Sequence, residues 1–164
     1  MKIVVAPNAL KGSLGAVAAA QAMSACVRLA APAAEVVEVP VGDGGDGLLE
    51  VLGASMDMER VPCRVSGPLG NPVDSALLYA ADRRLAVIEM ATAAGLALLT
   101  SASLDPMQAT TFGVGELLRL ALDHGAQHII LGIGGSATSD GGTGLAKALG
   151  APYFPLNRPP PSGL

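Results

Sequence analysis

The stretch Gly132-Ile-Gly-Gly-Ser-Ala-Thr-Ser-Asp-Gly-Gly142 is fed by the apolar run that starts at His128. Where a strand passes into a helix through such a loop, free backbone N–H groups and the positive end of the helix dipole attract phosphate. Glycine lets the main chain approach a ligand closely. The same composition also suits a tight structural turn, in which Ser136, Thr138 or Ser139 caps the helix.

A second loop, Gly42-Asp-Gly-Gly-Asp-Gly47, carries carboxylates in place of hydroxyls. Asp43 and Asp46 suit the two acidic roles of phosphoryl transfer, holding Mg²⁺ and taking a proton from a substrate hydroxyl. Capping a helix N-terminus is their competing use. Lys11 is the only lysine between Lys2 and Lys147 and lies in the loop leaving the first strand. A phosphate contact fits it, and so does the commoner role of a solvated surface lysine. Glu89 closes an apolar run, where a carboxylate is costly unless paired or functional. A salt bridge to an arginine is the bland reading. His124 and His128 flank Gly125-Ala126 without metal-binding spacing.

Gly132 to Ala137 fits G-x-G-x-x-A and Gly42 to Gly47 fits G-x-G-x-x-G, the fingerprint of dinucleotide-binding oxidoreductases. The first lacks an acidic residue beyond Asp140 for the ribose contact, and the second places Asp43 and Asp46 where a pyrophosphate would be repelled. A dinucleotide-dependent oxidoreductase therefore stands as a secondary reading. No G-x-x-x-x-G-K-[ST] occurs, which sets the P-loop aside.

The elements that must position these loops alternate. Lys2 to Ala6 reads as a strand, and Ser13 is placed to cap an alanine-rich helix running to about Ala31. Glu35 to Val41 reads as a second strand, with a short helix from Leu48 to about Ala54 behind the acidic loop. Between Met58 and Met90, extended runs flank Gly67-Pro-Leu-Gly-Asn-Pro72, and an Asp82-Arg83 turn leads into Leu85 to Met90, which predicts antiparallel or mixed pairing. A helix over Val114 to His124 and a strand over His128 to Ile133 follow. Such alternation predicts a mostly parallel α/β sheet, with ligands at the carboxyl ends of its strands, where all three glycine loops fall. After Gly150 the composition turns proline-rich, predicting a tail over 151–164.

Composition narrows the function classes. The chain has 164 residues, with 51% hydrophobic, 15% charged and 2% aromatic, and a net charge of −4. An aliphatic core is expected and disorder is not. Neither a basic patch nor aromatic stacking platforms are available for nucleic acid. No apolar run reaches the roughly 18–20 residues of a spanning helix, and the first apolar run stops too early for a signal peptide. The expectation is a cytoplasmic protein without a membrane partner. Cys26 and Cys63 lack a C-x-x-C spacing and are expected to be buried, reduced thiols.

Six segments in order carry a resemblance: Ala6-Pro-Asn-Ala-Leu-Lys-Gly-Ser-Leu14, Val41-Gly-Asp-Gly-Gly-Asp-Gly47, Gly67-Pro-Leu-Gly70, Ile88-Glu-Met-Ala91, Thr110-Thr-Phe-Gly-Val-Gly-Glu116 and Gly132 to Gly142. Together they resemble the N-terminal part of the type I glycerate kinases, over residues 1 to about 151. The resemblance implies two α/β domains, one Rossmann-like, around a cleft for ATP and D-glycerate, with Mg²⁺ assisting phosphoryl transfer. Residues 1–56 would be a Rossmann-like portion with a mostly parallel sheet, and 57–150 the start of a second, mixed α/β portion. The fold would be incomplete relative to the family's two domains. Lys11, Ser13, Asp43, Glu89, Thr111, Gly134, Gly135, Ser136 and Asp140 would face the cleft. Chemistry then suggests Lys11 for phosphate charge, Asp43 and Asp140 for metal or hydroxyl activation, and the Gly134 to Ser136 backbone for phosphate oxygens. Ser13, Glu89 and Thr111 would serve the substrate. Asn8, Asp46 and Ser139 depart from the aspartate, glutamate and asparagine usual in the family. The proline-rich end is the larger departure, so the chain reads as truncated, with low or absent activity by itself; a fragment that binds nucleotide without chemistry is the alternative.

Overall fold

In the computed structural model residues 1–151 are described. The expected tail, apart from Ala151, lies outside the described residues. The chain forms two sheets with helices against them, and the first is a small parallel unit. Strands β1 (Lys2–Val5) and β2 (Glu35–Glu38) pair in parallel from Lys2 opposite Glu35 to Val5 opposite Glu38, and helix α1 (Ala16–Ala30) crosses between them. Consecutive Ile3, Val4 and Val5 favour the extended backbone. Past β2 the pairing loosens but persists, since Val39 and Val41 donate to the carbonyls of Val5 and Pro7.

Ser13 does not cap α1. The amide of Leu10 donates to the carbonyl of Leu14 at 2.8 Å and that of Leu14 donates back at 3.0 Å, closing a turn over Lys11, Gly12 and Ser13. The helix therefore begins at Ala16, behind an N-cap Gly15 that makes no side-chain cap. Its buried face consists of Ala16, Ala19, Ala20 and Ser24. Small side chains allow close packing against the first sheet. Cys26 stands two residues beyond Ser24, about 200° round the helix, so it is exposed rather than buried; Cys63 is half-buried and both thiols are free. Burial pushes the Cys63 thiol up, outweighing its hydrogen bond with Ser75.

The second sheet has the order β3-β4-β5-β6, formed by Glu59–Ser66, Pro72–Ala80, Leu85–Glu89 and His128–Gly132. β3, β4 and β5 pair antiparallel, and β5 pairs with β6 in parallel. The mixed α/β architecture therefore has one parallel and one mixed sheet, as expected. Helix α2 (Leu48–Ser55) precedes this sheet, a single turn α3 (Ala91–Ala94) follows β5, α4 (Phe112–Asp123) leads into β6, and α5 (Thr143–Ala148) follows it.

Each face of the mixed sheet has its own core. On one, Val65, Leu77, Ala86 and Ile88 pack against Ala93, Val114, Leu117 and Ala121 of α3 and α4. On the other, Leu48 and Leu49 of α2 pack on Ala76, Leu78 and Val87. Thus α2, grouped with the first portion by sequence, delivers its leucines to the second sheet. Among the described residues no helix is long and apolar enough to cross a membrane.

The Ser24 hydroxyl is fully buried and has no hydrogen-bond partner among the described residues. Removing an unsatisfied buried hydroxyl relieves its desolvation cost, and alanine is the better helix former. Ser24→Ala is expected to raise unfolding free energy by about 1 kcal/mol, read as a higher urea midpoint at unchanged slope. A lower midpoint would mean that the hydroxyl has a partner.

Candidate functional site

The carboxyl ends of the parallel strands converge. Gly134, just past β6, donates its amide to the carbonyl of Gly44 in the acidic loop at 2.9 Å. A Cβ on Gly134 would lie 2.5 Å from the Gly45 Cα, so only glycine permits this approach. The Gly135 turn meets Asp46 and Ala91, and Gly135 and Ala94 accept from Leu96 and Ala137 to tie this loop to the segment after α3. The two glycine loops therefore form one surface at the strand ends.

Lys11, Asn8 and Asp43 bring the loop after β1 to the same place. The Asn8 side-chain amide donates to the Asp43 carboxylate at 3.3 Å, and the Gly45 amide donates to its other oxygen at 3.0 Å. The Gly45 amide, then Asn8, and then the positive charge of Lys11 hold the Asp43 carboxyl below the ordinary value of 3.8. Asp43 is exposed, and it stays ionised facing solvent. A carboxylate so stabilised is a weak base and a good cation ligand.

Glu89 sits at the last position of β5 and is 5% exposed. Its oxygens accept from the amides of Gly47 at 2.9 Å and Leu49 at 3.0 Å. The carboxylate thus meets the N-terminus of α2, where free amides and the helix dipole favour negative charge. Its partner is a helix end rather than an arginine. Gly47 is the N-cap, with φ of 88°, a conformation natural only to glycine.

Asp140 has a parallel task between α4 and α5. It accepts from the amide and hydroxyl of Thr111, the Thr110 hydroxyl, and the amides of Gly142 and Gly144. Partial burial pushes this carboxyl up, but the amides of Thr111, Gly142 and Gly144 and the Thr111 hydroxyl outweigh it and hold it below 3.8. Thr111 is 2% exposed, and its hydroxyl also accepts from the Leu145 amide at 2.9 Å. These bonds fix the two helices to each other.

The grouping expected from sequence is therefore divided. Lys11, Asp43, Gly134, Gly135 and Ser136 belong to the joined loops, and Ser13 is an exposed residue of the Lys11 turn. Glu89, Asp140 and Thr111 are engaged in holding helix termini. Among the described residues no hydrogen bond links Asp43 to Asp140, and no three His, Cys, Asp or Glu side chains gather as a metal site. The amides of Gly135 and Ser136 make no hydrogen bond among the described residues, whereas that of Gly134 is taken by Gly44. Sequence reasoning passed over Glu116, which accepts from the Ser66 amide at 2.6 Å and ties the Gly67–Gly70 turn to α4, and Thr110, whose oxygen accepts from the Phe112 amide. Their only sequence signal is their place in the stretch Thr110-Thr-Phe-Gly-Val-Gly-Glu116.

The glycerate kinase family matches this chain over residues 3–158. The chain belongs to the glycerate kinase family. It is 46% identical over 157 residues to the glycerate 2-kinase of Escherichia coli (strain K12), covering 96% of this chain and 41% of that protein. It is 45% identical over 150 residues to the glycerate kinase of Bacillus subtilis (strain 168), covering 92% and 39%. A crystal structure from Salmonella typhimurium LT2, of a protein assigned as glycerate kinase 2, superimposes with a TM-score of 0.72 at 45% identity, covering 91% of this chain and 40% of that one. The chain therefore spans about two fifths of the length of the relatives it matches. The likeness extends over the loops described above, all of which fall within the matched residues.

Two outcomes follow for this chain. Glu89→Gln turns a carboxamide NH2 toward one of the two amide donors, and unfolding free energy should fall by about 1–3 kcal/mol in urea denaturation. An unchanged midpoint would remove Glu89 as the cap of α2. For Asp140, a folded value below the unfolded one supplies stability that is present above pH 3.8 and lost as pH falls through the folded value. Asp140→Asn should be less stable at neutral pH, with a shallower loss of stability below pH 3.8 than the parent. Equal acid slopes would contradict this.

Proposed function

We propose that this chain supplies the phosphate-handling side of a glycerate kinase cleft, in which the terminal phosphoryl group of ATP passes to D-glycerate. The observation that supports this reading most is the main-chain bond between Gly44 and Gly134, which joins the loop of Asp43 to the loop whose Gly135 and Ser136 amides make no hydrogen bond among the described residues. Those two amides are suited to phosphate oxygens, and Lys11 to their charge. Lys11 is the smallest of the influences that lower the Asp43 carboxyl and makes no ion pair among the described residues, which leaves its charge to an anionic ligand.

The donor set fits Mg²⁺ in the mode that ion prefers, one or two carboxylates with substrate phosphates and retained water. Asp43 is the residue to hold it, being exposed and ionised. When bound, the ion neutralises charge developing on the transferred group. Asp43 is too weakly basic to be the better proton acceptor. Asp140, Glu89 and Thr111 then act as positioning residues, keeping α2, α4 and α5 where their loops meet. Ser13 lies in the Lys11 turn and is available to a glycerate oxygen. The reading as a cytoplasmic enzyme belongs to the same proposal, and so does the division into 1–56, 57–150 and a tail.

Since the chain covers 41% of the E. coli relative, turnover at ordinary kinase rates is expected only with the rest of the cleft in place. Calorimetry checks the nucleotide half. Mg·ATP should bind, NAD should not, and Lys11→Ala should weaken ATP binding about tenfold, a difference of about 1.4 kcal/mol. Tight NAD binding, or ATP binding indifferent to Lys11, would refute the proposal, the former in favour of an oxidoreductase.

A further inference from the structure

Asp43 and Asp46 share one loop but meet different surroundings. The Asp43 carboxylate is held by the Gly45 amide and by Asn8. That of Asp46 accepts no hydrogen bond and makes no ion pair among the described residues, and the residue is exposed. The post it could fill at the start of α2 is already taken, since Glu89 accepts from the amides of Gly47 and Leu49. Helix capping therefore leaves Asp46 without a task.

The main chain on both sides of Asp46 is fixed. Gly45 is buried against Gly134, and the Gly47 amide is bound to Glu89. From this clamped segment the side chain reaches the neighbouring loop: a Cβ on Gly135 would lie 3.0 Å from one Asp46 carboxylate oxygen and 3.2 Å from the other. Covalent geometry then puts both oxygens within about 6 Å of the Gly135 nitrogen. The amides of Gly135 and Ser136 make no hydrogen bond among the described residues. A negative charge thus stands beside the two amides suited to phosphate oxygens. Like charges repel at this range, and a partly dry surface screens them weakly. A polyphosphate that carries its own divalent cation has lost much of the charge that is repelled.

We propose that Asp46 is a specificity-determining residue, a fixed negative charge by which the Gly135–Ser136 turn discriminates against metal-free polyphosphate and favours a nucleotide that arrives as its Mg²⁺ complex. It acts by repulsion and not as a ligand of the ion, which leaves that role to Asp43. A like charge placed against the wrong ligand is an ordinary means of discrimination. The inference rests on the reading of those two amides as the phosphate site, and adds a choice between two forms of one nucleotide. An Asp46 that served only the α2 dipole would affect stability and leave that choice untouched.

The test is calorimetry of the chain with ATP, once in excess Mg²⁺ and once in EDTA, without glycerate and with no activity to be read. Asp46→Asn should tighten metal-free ATP about tenfold while Mg·ATP stays within about twofold of the parent, so that the preference for the complex shrinks. Asp46→Glu keeps the charge and should keep the preference. Weaker Mg·ATP binding in Asp46→Asn would make Asp46 a ligand of the ion and overturn the proposal. An unchanged ratio of the two affinities overturns it as well, and a change confined to the thermal melt leaves Asp46 a structural residue. Lys11→Ala separates the two levels of the argument. If Mg·ATP binding depends on Lys11 but the ratio ignores Asp46, the discrimination alone is lost; if neither form of ATP depends on Lys11, the phosphate site itself is lost.

Discussion

The approach of two main chains at Gly44 and Gly134 is the constraint on which the site depends. Backbone can meet backbone at hydrogen-bonding distance only where no Cβ intervenes, and a Cβ on Gly134 would fall 2.5 Å from the Gly45 Cα. That contact joins a loop issuing from the small parallel sheet to one issuing from the mixed sheet. Without it, Lys11 and Asp43 would belong to one unit and the Ser136 turn to the other.

Two carboxylates keep the approach in register. Glu89 holds the first turn of α2 and so fixes the end of the acidic loop; Asp140 holds the start of α4 and α5 and so fixes the far end of the glycine-serine loop. The buried Glu89 is offset by two backbone amides and the half-buried Asp140 by amides and hydroxyls together. Asp43 also accepts from two donors, the Gly45 amide and Asn8, but it is exposed and holds no helix end. Acidic residues that look alike in a glycine-rich sequence thus divide into two that anchor helix ends and one that stays open to solvent, according to where the fold buries them.

Much of the fold was legible because local signals and tertiary packing agree. β-branched runs gave strands, the Gly67–Asn71 turn gave the β3–β4 hairpin, and strands ending in glycine loops gave the shared carboxyl end. Disagreement arose where tertiary or turn contacts overrode a local preference. Ser13 has the chemistry of a helix cap, but the Leu10–Leu14 pair closes a turn around it and moves the cap to Gly15. Cys26 reads as a core thiol, yet helical phase puts it opposite the buried Ala19–Ser24 stripe.

The sequence by itself determined the family, the mixed α/β class and the loops in which the chemistry lies, since these follow from residue types in order along the chain. Only the tertiary structure decided which residues of those loops are free to act. Thr111, Glu89 and Asp140 have the right chemistry for a ligand, but Leu145, Gly47, Leu49 and Gly144 reach them from 34, 42, 40 and 4 residues away. Hydrogen-bonding capacity is a property of the side chain. Whether it is already used depends on donors that mostly arrive from distant parts of the chain, and no local pattern records their arrival.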